Sequence, residues 1–197
     1  MAHPAIIVGA SRPHPTETEN GDAWSVRWSG SICRIFVIDG LGHGHGAAMV
    51  ARLGLDAVSR TAMMEPAAVL RICHAALIGS RGAAGSVITI DTDSGLLSYA
   101  GVGNVEGRVW DGTGCRTFLT DRGILGYRVP SLLRTRQEVL DPKWLLCVHS
   151  DGIRQRSLPA ARPTTKNVEP QTVVRDLLAA SARDNDDATI VAAWLAG

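Results

Sequence analysis

Short apolar runs separated by turn residues recur along most of the chain, and each run has the length of a β-strand. Turn sequences at 91–95 and 111–114 predict hairpins between neighbouring strands. Residues 122–140 show no clear period, and no element is predicted there. The pattern predicts strands at 5–8, 23–28, 31–38, 86–90, 96–102, 107–110, 116–119, 143–148 and 188–195.

A helical period occurs in three places, where apolar residues return at steps of three and four. The first helix is expected over 46–64, after a glycine-rich segment, and the second follows over 65–77 with Pro66 in its first turn. A third is expected over 171–181. Because helices and strands come in separate runs, the pattern favours an α+β layered sandwich over βαβ units. The chain shows no repeat and no long linker, which predicts a single domain over 1–197.

The composition is that of an ordinary globular protein, with 45% hydrophobic residues and a net charge of +1 over 197 residues. No run of Lys or Arg is present, which disfavours nucleic acid and anionic membranes as partners. No apolar stretch reaches the ~20 residues of a membrane span, and residues 1–4 lack the charges of a signal peptide. A cytoplasmic protein is therefore expected, and its four cysteines, which share no CxxC spacing, are expected to be reduced thiols.

Aspartates stand at the ends of the most apolar predicted strands. Asp39 ends the third strand, and Asp151 follows the strand at 143–148. Asp186 comes just before the last strand. If the last strand runs antiparallel to the other two, all three carboxylates reach the same edge of the sheet. Converging carboxylates repel one another unless a cation lies among them, and oxygen ligands without a His/Cys cluster suit Mg²⁺ or Mn²⁺.

Two such ions could polarise a phosphoryl group and activate a bridging water, so these aspartates predict a metal-dependent hydrolase. Gly40 lets the backbone come close, so that its carbonyl could join the coordination shell. Asp22, at the mouth of the second strand, is a fourth candidate ligand. The structural alternative is that each aspartate serves only a turn, since Asp-Gly is a common turn pair. The set as a whole favours the metal site.

Several other features allow competing interpretations. The glycine motif at 42–47 formally fits a dinucleotide-binding fingerprint, but Asp39 would face the pyrophosphate with like charge, and two helices follow where a strand is required. His43 and His45 could be general acids, metal ligands or plain loop residues. Arg12 could neutralise a phosphate dianion or be a solvated loop residue.

Six motifs, in order along the chain, resemble those of the bacterial type 2C-like metal-dependent protein phosphatases. The resemblance is nearest to the stage II sporulation protein E branch and the small stand-alone serine phosphatases of stress-response partner-switching pathways. It covers nearly the whole chain, and its most specific motif is V-I-D-G-L-G-H-G at 37–44. The other motifs lie at 12–24, 99–104, 123–126, 150–153 and 186–189.

The resemblance implies a four-layer α-β-β-α sandwich with two packed antiparallel sheets. It also implies that Asp39 bridges two Mn²⁺ or Mg²⁺ ions and that Gly40 offers its carbonyl to one of them. Asp151 and Asp186 would complete the shell of the other ion, and Asp22 would bind a metal or orient its water. A metal-activated water would then attack the phosphate without a phosphoenzyme, with Asp39, Asp151 and Asp186 as the catalytic residues.

Two positions depart from the pattern of the resembled proteins. Eukaryotic relatives carry a His directly after the Asp-Gly pair, where this chain has Leu41, and His43 comes two positions later. We therefore do not assign His43 as the general acid. Many sporulation-type members carry a further Asp three residues after the position of Asp22, where this chain has Ser25. A third metal site is therefore not assigned.

The function implied by the resemblance is a cytoplasmic protein phosphatase acting on phosphoserine or phosphothreonine. Its implied substrate is a phosphorylated STAS-type antagonist or scaffold protein in a sigma-factor or stress-signalling switch. Two alternatives come from other classes, a degenerate phosphatase fold that only binds a partner and a nucleotide-binding oxidoreductase that uses the glycine loop. A pure binding module has no need of a costly carboxylate cluster, and a cofactor absorbance would reveal the oxidoreductase.

Overall fold

The computed structural model describes residues 5–62, 65–111, 114–141 and 143–195. Within these ranges the chain forms ten strands, three α-helices and one turn of 3-10 helix at Gln155–Ser157. The helices are α1 Gly44–Ser59, α2 Pro66–Ala76 and α3 Pro170–Ser181. The strands are β1 Ala5–Arg12, β2 Asp22–Ser29, β3 Ile32–Gly40, β4 Ala83–Asp91, β5 Leu96–Val102, β6 Glu106–Asp111, β7 Gly114–Phe118, β8 Arg136–Val139, β9 Leu145–His149 and β10 Ala188–Leu195.

The strands form two five-stranded sheets in which every neighbouring pair is antiparallel. One sheet has the order β1-β10-β9-β6-β7, and the other has the order β2-β3-β4-β5-β8. Helices α1 and α2 cover the second sheet, while α3 packs on β1 and β10 of the first. This arrangement confirms the predicted α+β sandwich with two packed antiparallel sheets.

The central strand β3 shows why its sequence reads as an unbroken apolar run. Cys33, Ile35 and Val37 belong to the core that includes the other sheet, whereas Phe36 and Ile38 belong to the core under α1 and α2. Successive side chains of a strand point to opposite faces. Both faces of β3 are covered, so both sets of positions are apolar.

Helix α1 packs closely on β3 at Gly54. A Cβ atom there would stand 2.3 Å from Cδ1 of Ile38, so a larger residue would require the Ile38 side chain to move. Helix α1 begins four residues after the end of β3, and the glycine-rich segment between them joins two elements that pack against each other.

The first helix ends at Ser59 and not at the predicted residue 64. The reason is Arg34, a buried residue of β3, which donates hydrogen bonds to the carbonyl oxygens of Val58 at 3.0 Å and Ala62 at 2.8 Å. Thr61 also donates its hydroxyl hydrogen to the Val58 carbonyl. These bonds satisfy carbonyl groups at and after the end of α1, so the chain can leave the helix there.

Other predicted boundaries differ in smaller ways. Strand β8 falls in the segment where no element was predicted, and it pairs with β5 at the edge of its sheet. The hairpin predicted at 111–114 joins β6 to β7, with Asp111 opposite Gly114, while residues 112 and 113 lie outside the described residues. No helix in the described part of the chain is long and apolar enough to cross a membrane.

Candidate metal centre

Asp22 and Asp39 lie opposite each other in the ladder between β2 and β3. Asp22 is the first residue of β2, and Asp39 is the last but one of β3, so both carboxylates stand at the same end of this sheet. Asp22 is only 6% exposed. The backbone N–H of Gly40 donates to the Gly21 carbonyl at 3.0 Å, which extends the pairing to the strand end.

The other sheet contributes Asp151, Asp186 and Asp187 from the adjacent strands β9 and β10. These strands are antiparallel, with His149 opposite Ile190, so the residues after β9 meet the residues before β10. This is the direction that the sequence argument required for these two strands. The expectation that all three carboxylates reach the edge of one sheet is wrong, because Asp39 stands at the end of a strand of the other sheet. Gly152 makes the close approach possible, because a Cβ there would stand 1.8 Å from the Asp187 carbonyl oxygen.

A buried serine joins the two sheets at this point. The hydroxyl of Ser150 donates to Oδ2 of Asp22 at 2.6 Å and accepts from the backbone N–H of Thr189 at 3.0 Å. Ser150 is fully buried, so it cannot act as an exposed nucleophile. Its place in the structure is to hold Asp22 of one sheet against the β9–β10 pair of the other.

Burial and neighbouring negative charges both raise the pKa values of the aspartates. Burial raises the pKa of Asp39 to about 9, with further contributions from the negative charges of Asp22, Asp151, Asp186 and Asp187. Burial likewise raises the pKa of Asp22 to about 7, although the Ser150 hydroxyl opposes the shift. The pKa of Asp151 is raised by burial and by Asp186. If all these carboxylates were ionised, their negative charge would exceed the positive charge of the groups around them.

The donor set suits a hard divalent cation. Among the described residues, Asp22 Oδ1 and Asp187 Oδ2 are buried and lack a hydrogen-bond partner, which is costly unless a cation or its water is bound there. Carboxylate oxygens are the ligands that Mg²⁺ and Mn²⁺ prefer. No three His, Cys, Asp or Glu side chains of the described residues already stand close enough together to hold a metal ion. The charges that act on Asp39 nevertheless come from Asp22, Asp151, Asp186 and Asp187, so the five aspartates lie in one neighbourhood.

Two residues near the carboxylates were not assigned a role from the sequence. Asn104 donates its side-chain amide to Oδ2 of Asp151 at 2.5 Å. Asp187 accepts from the backbone N–H of His14 at 2.8 Å and is almost fully buried. Both lie in motifs that were recognised, at 99–104 and 186–189, but a motif does not show which of its side chains reaches the cluster.

The two histidines of the glycine loop contact glutamates of the segment between β1 and β2. Nδ1 of His43 lies 2.9 Å from Oε1 of Glu17, and Nδ1 of His45 lies 2.7 Å from Oε1 of Glu19. The ring of His43 also stacks on that of His14, with 4.4 Å between the ring centroids. These contacts fasten the two loops together.

Arg12 does not reach the carboxylate cluster, because its guanidinium donates to the carbonyl oxygen of Arg183. Gly40 is held against the start of α1, where a Cβ would stand 2.3 Å from the Ala47 carbonyl oxygen. The strands are antiparallel, and α1 leads into α2 and not into a further strand. The glycine loop therefore lacks the βαβ setting of a dinucleotide site.

Comparison with known proteins gives a consistent picture. The model of the family described as stage II sporulation protein E matches residues 29–195. Comparison with curated protein sequences finds no significant match.

Three solved structures have the same fold. One comes from work on the bacterial stressosome, described as a modular system adapted to control secondary messenger signalling. It is 28% identical to this chain with a TM-score of 0.91, and the match covers 96% of this chain and 98% of the other. RsbX in complex with magnesium is 20% identical with a TM-score of 0.82, covering 98% and 96%. The structure containing the phosphatase domain of SpoIIE from Bacillus subtilis is 15% identical with a TM-score of 0.78, covering 97% and 63%.

Proposed function

We propose a reaction for this chain from the premise that it belongs to the stage II sporulation protein E family and is, by that membership, a protein-serine/threonine phosphatase. In this proposal it removes phosphate from a phosphoserine or phosphothreonine of a signalling protein. The reaction requires Mn²⁺ or Mg²⁺. The observation that carries the metal requirement is the meeting of Asp22 and Asp39 from one sheet with Asp151 and Asp186 from the other. Buried carboxylates in that number are costly without a cation.

The proposed ligands follow from this arrangement. Asp39 would bridge two ions, with the Gly40 carbonyl on one ion and Asp151 and Asp186 on the other. Asp22 would bind a metal or orient its water. When bound, the pair of ions would place positive charge beside the phosphoryl oxygens and make a water molecule more acidic.

The protein's own contribution is to hold these groups in place. Ser150 fixes Asp22, and Asn104 fixes Asp151, each through a hydrogen bond to a carboxylate oxygen. Such second contacts orient a ligand and keep it deprotonated. The catalytic residues in this proposal are Asp39, Asp151 and Asp186, and no side chain of the chain forms a covalent bond with phosphate.

We propose further that the substrate is a phosphorylated STAS-type protein of a partner-switching pathway, that residues 1–197 form a single phosphatase domain and that the enzyme acts in the cytoplasm. Two observations support this substrate class. The motifs resemble the small stress-pathway phosphatases, and the stressosome-related structure covers nearly the same length of chain. Nucleic acid and membranes are not proposed as partners.

The direct test is hydrolysis of p-nitrophenyl phosphate and of a phosphoserine peptide, with Mn²⁺, with Mg²⁺ and with a chelator. The native chain should turn over only with a cation, and Asp39→Asn should lose nearly all activity. Asp56→Asn is the matched control, because Asp56 is an exposed aspartate of α1. Equal turnover by Asp39→Asn would contradict the assignment of the site.

The same assay separates the alternatives. A degenerate fold that only binds a partner would show no cation-dependent turnover. An oxidoreductase would show a nicotinamide or flavin absorbance, and no observation in the glycine loop favours that chemistry. The retained carboxylate cluster supports the phosphatase.

A further inference from the structure

A strongly basic pocket lies beside the candidate metal centre. It has a volume of about 440 Å³ and is lined by Arg154, Gln155, Arg156, Ser157 and Arg183. Three of these five residues are arginines, and none of the five is acidic.

The pocket is continuous with the segment that carries Asp151. Nε of Arg183 donates to the Asp151 carbonyl oxygen at 2.8 Å, and the backbone N–H of Arg183 donates to the Gly152 carbonyl at 2.7 Å. Arg154 follows Asp151 by three residues. The pocket therefore borders the segment that supplies Asp151 to the carboxylate cluster.

Two of the three arginines have partners within the described residues. The charge of Arg183 lies near Asp151 and opposes the rise that burial causes in the pKa of that carboxyl, and Arg154 donates to the Ala182 carbonyl oxygen at 2.9 Å. Arg154 pairs with Asp184 at 3.2 Å, but the side chains are 46% and 93% exposed, and exposed pairs of this kind contribute little. Arg156 is exposed and makes no hydrogen bond or ion pair with any described residue. The nearby acid Glu106 is occupied by the Gln155 amide, which lies 2.9 Å from Oε2 of Glu106.

The basic surface continues on the other side of the turn at 182–184. A second cavity of about 310 Å³ is lined there by Arg12, Arg175, Asp184 and apolar residues of α3 and the turn. Arg12, which lines this second cavity, donates to the carbonyl oxygen of Arg183, which lines the first. Asp184 is the only acidic side chain lining either of these two cavities.

We propose that the pocket formed by Arg154, Arg156 and Arg183 docks an acidic segment of the protein substrate, next to the phosphorylated residue. This inference rests on the proposed function, since it gives that reaction a substrate class. Guanidinium groups bind carboxylates through paired hydrogen bonds, and exposed charges of one sign steer an oppositely charged partner.

The test measures binding of a fluorescent peptide that has glutamates on both sides of a central serine and carries no phosphate. A second peptide has glutamines in place of the glutamates. Binding is followed by fluorescence anisotropy in a buffer with Mn²⁺, for the native chain, Arg156→Glu and Arg60→Glu. Arg60 is the matched control, because it caps the far end of α1, about 24 Å along the helix from the glycine loop.

The native chain should prefer the glutamate peptide, and Arg156→Glu should weaken that binding by about tenfold. Arg60→Glu should bind like the native chain, and added salt should reduce the preference. Equal binding of the two peptides by the native chain, or an equal loss in Arg60→Glu, would overturn the proposal. Because the peptide carries no phosphate, this result is independent of turnover. Hydrolysis of p-nitrophenyl phosphate by the native chain reports only on the proposed function.

Discussion

The hydroxyl of Ser150 donates a hydrogen bond to Oδ2 of Asp22 across 128 residues of sequence and between two different sheets. Both residues are buried. This single bond connects the start of β2 to the end of β9, so it sets the distance between carboxylates that come from separate sheets.

Replacing this serine tests the connection. Ser150→Ala leaves Asp22 without its donor inside the protein, and the free energy of unfolding should fall by about 1–3 kcal/mol. Affinity for Mn²⁺ should fall as well. Urea denaturation and a Mn²⁺ titration measure the two effects. Ser157→Ala is the control, because Ser157 is exposed, and a similar loss there would remove the special role of Ser150.

The metal-free protein should lose stability as the pH rises. The pKa of Asp39 is about 9 in the fold against an ordinary 3.8, so between these values the folded state binds more protons than the unfolded state. The contribution of Asp39 to the free energy of unfolding therefore decreases from about pH 4 to pH 9. Melting temperatures in a chelator should show this slope, and Asp39→Asn should flatten it. Excess Mn²⁺ should oppose the loss, and an unchanged slope in Asp39→Asn would contradict the assignment.

Neutralising the other carboxylates should separate activity from folding. Asp151→Asn and Asp186→Asn should each lose most phosphatase activity while remaining folded, since removing a charge relieves repulsion in the metal-free state. Thermal melts and turnover of p-nitrophenyl phosphate measure the two properties. If either variant is unfolded, the aspartate that was replaced has a structural role instead.

Asn104 should affect the affinity for Mn²⁺ by orienting the carboxylate of Asp151. In Asn104→Ala the carboxylate of Asp151 loses the amide that orients it, and affinity for Mn²⁺ should fall by roughly 10–100-fold with the fold retained. Gln137→Ala removes a different amide, one bonded to Ser98 in another part of the sheet, and should leave affinity unchanged. Equal affinities in all three proteins would show that Asn104 does not position the ligand.

His43 should not behave as a general acid. Its ring is bonded to Glu17 and stacked on His14, so His43→Ala should change kcat by less than about threefold, whereas loss of a general acid costs roughly 10²–10⁴-fold. Turnover of a phosphoserine peptide against pH measures the difference, because its alkoxide leaving group needs a proton, whereas p-nitrophenolate leaves without one. A large drop, with loss of the alkaline limb of the profile, would assign the proton transfer to His43.

Strands with apolar runs were predictable because their pattern is local. The core strands β3, β9 and β10 are buried on both faces, and their sequences show it directly. Strand β8 was not predictable, because three of the four residues in Arg136–Val139 are polar and half-buried positions alternate with exposed ones. This edge strand owes its conformation to pairing with β5. The end of α1 likewise depends on Arg34, which lies in another element.

The candidate site likewise contains residues that the sequence predicts and residues that it does not. The aspartates that follow or precede apolar runs could be predicted as ligands because strand ends are visible in sequence. The positions of Asn104, Asp187 and Ser150 depend on how two sheets pack, and no local pattern reports that distance. Their motifs were recognised by resemblance, but the contacts of each side chain came from the structure.

The bond between Ser150 and Asp22 also has a consequence for the order of folding. Neither sheet alone contains all the carboxylates, so a chain with only one sheet formed would have an incomplete site. Contacts between residues so distant in sequence form late and slowly. A cation that requires both sheets would bind only the finished molecule, and onset of turnover during refolding would then time the last docking step.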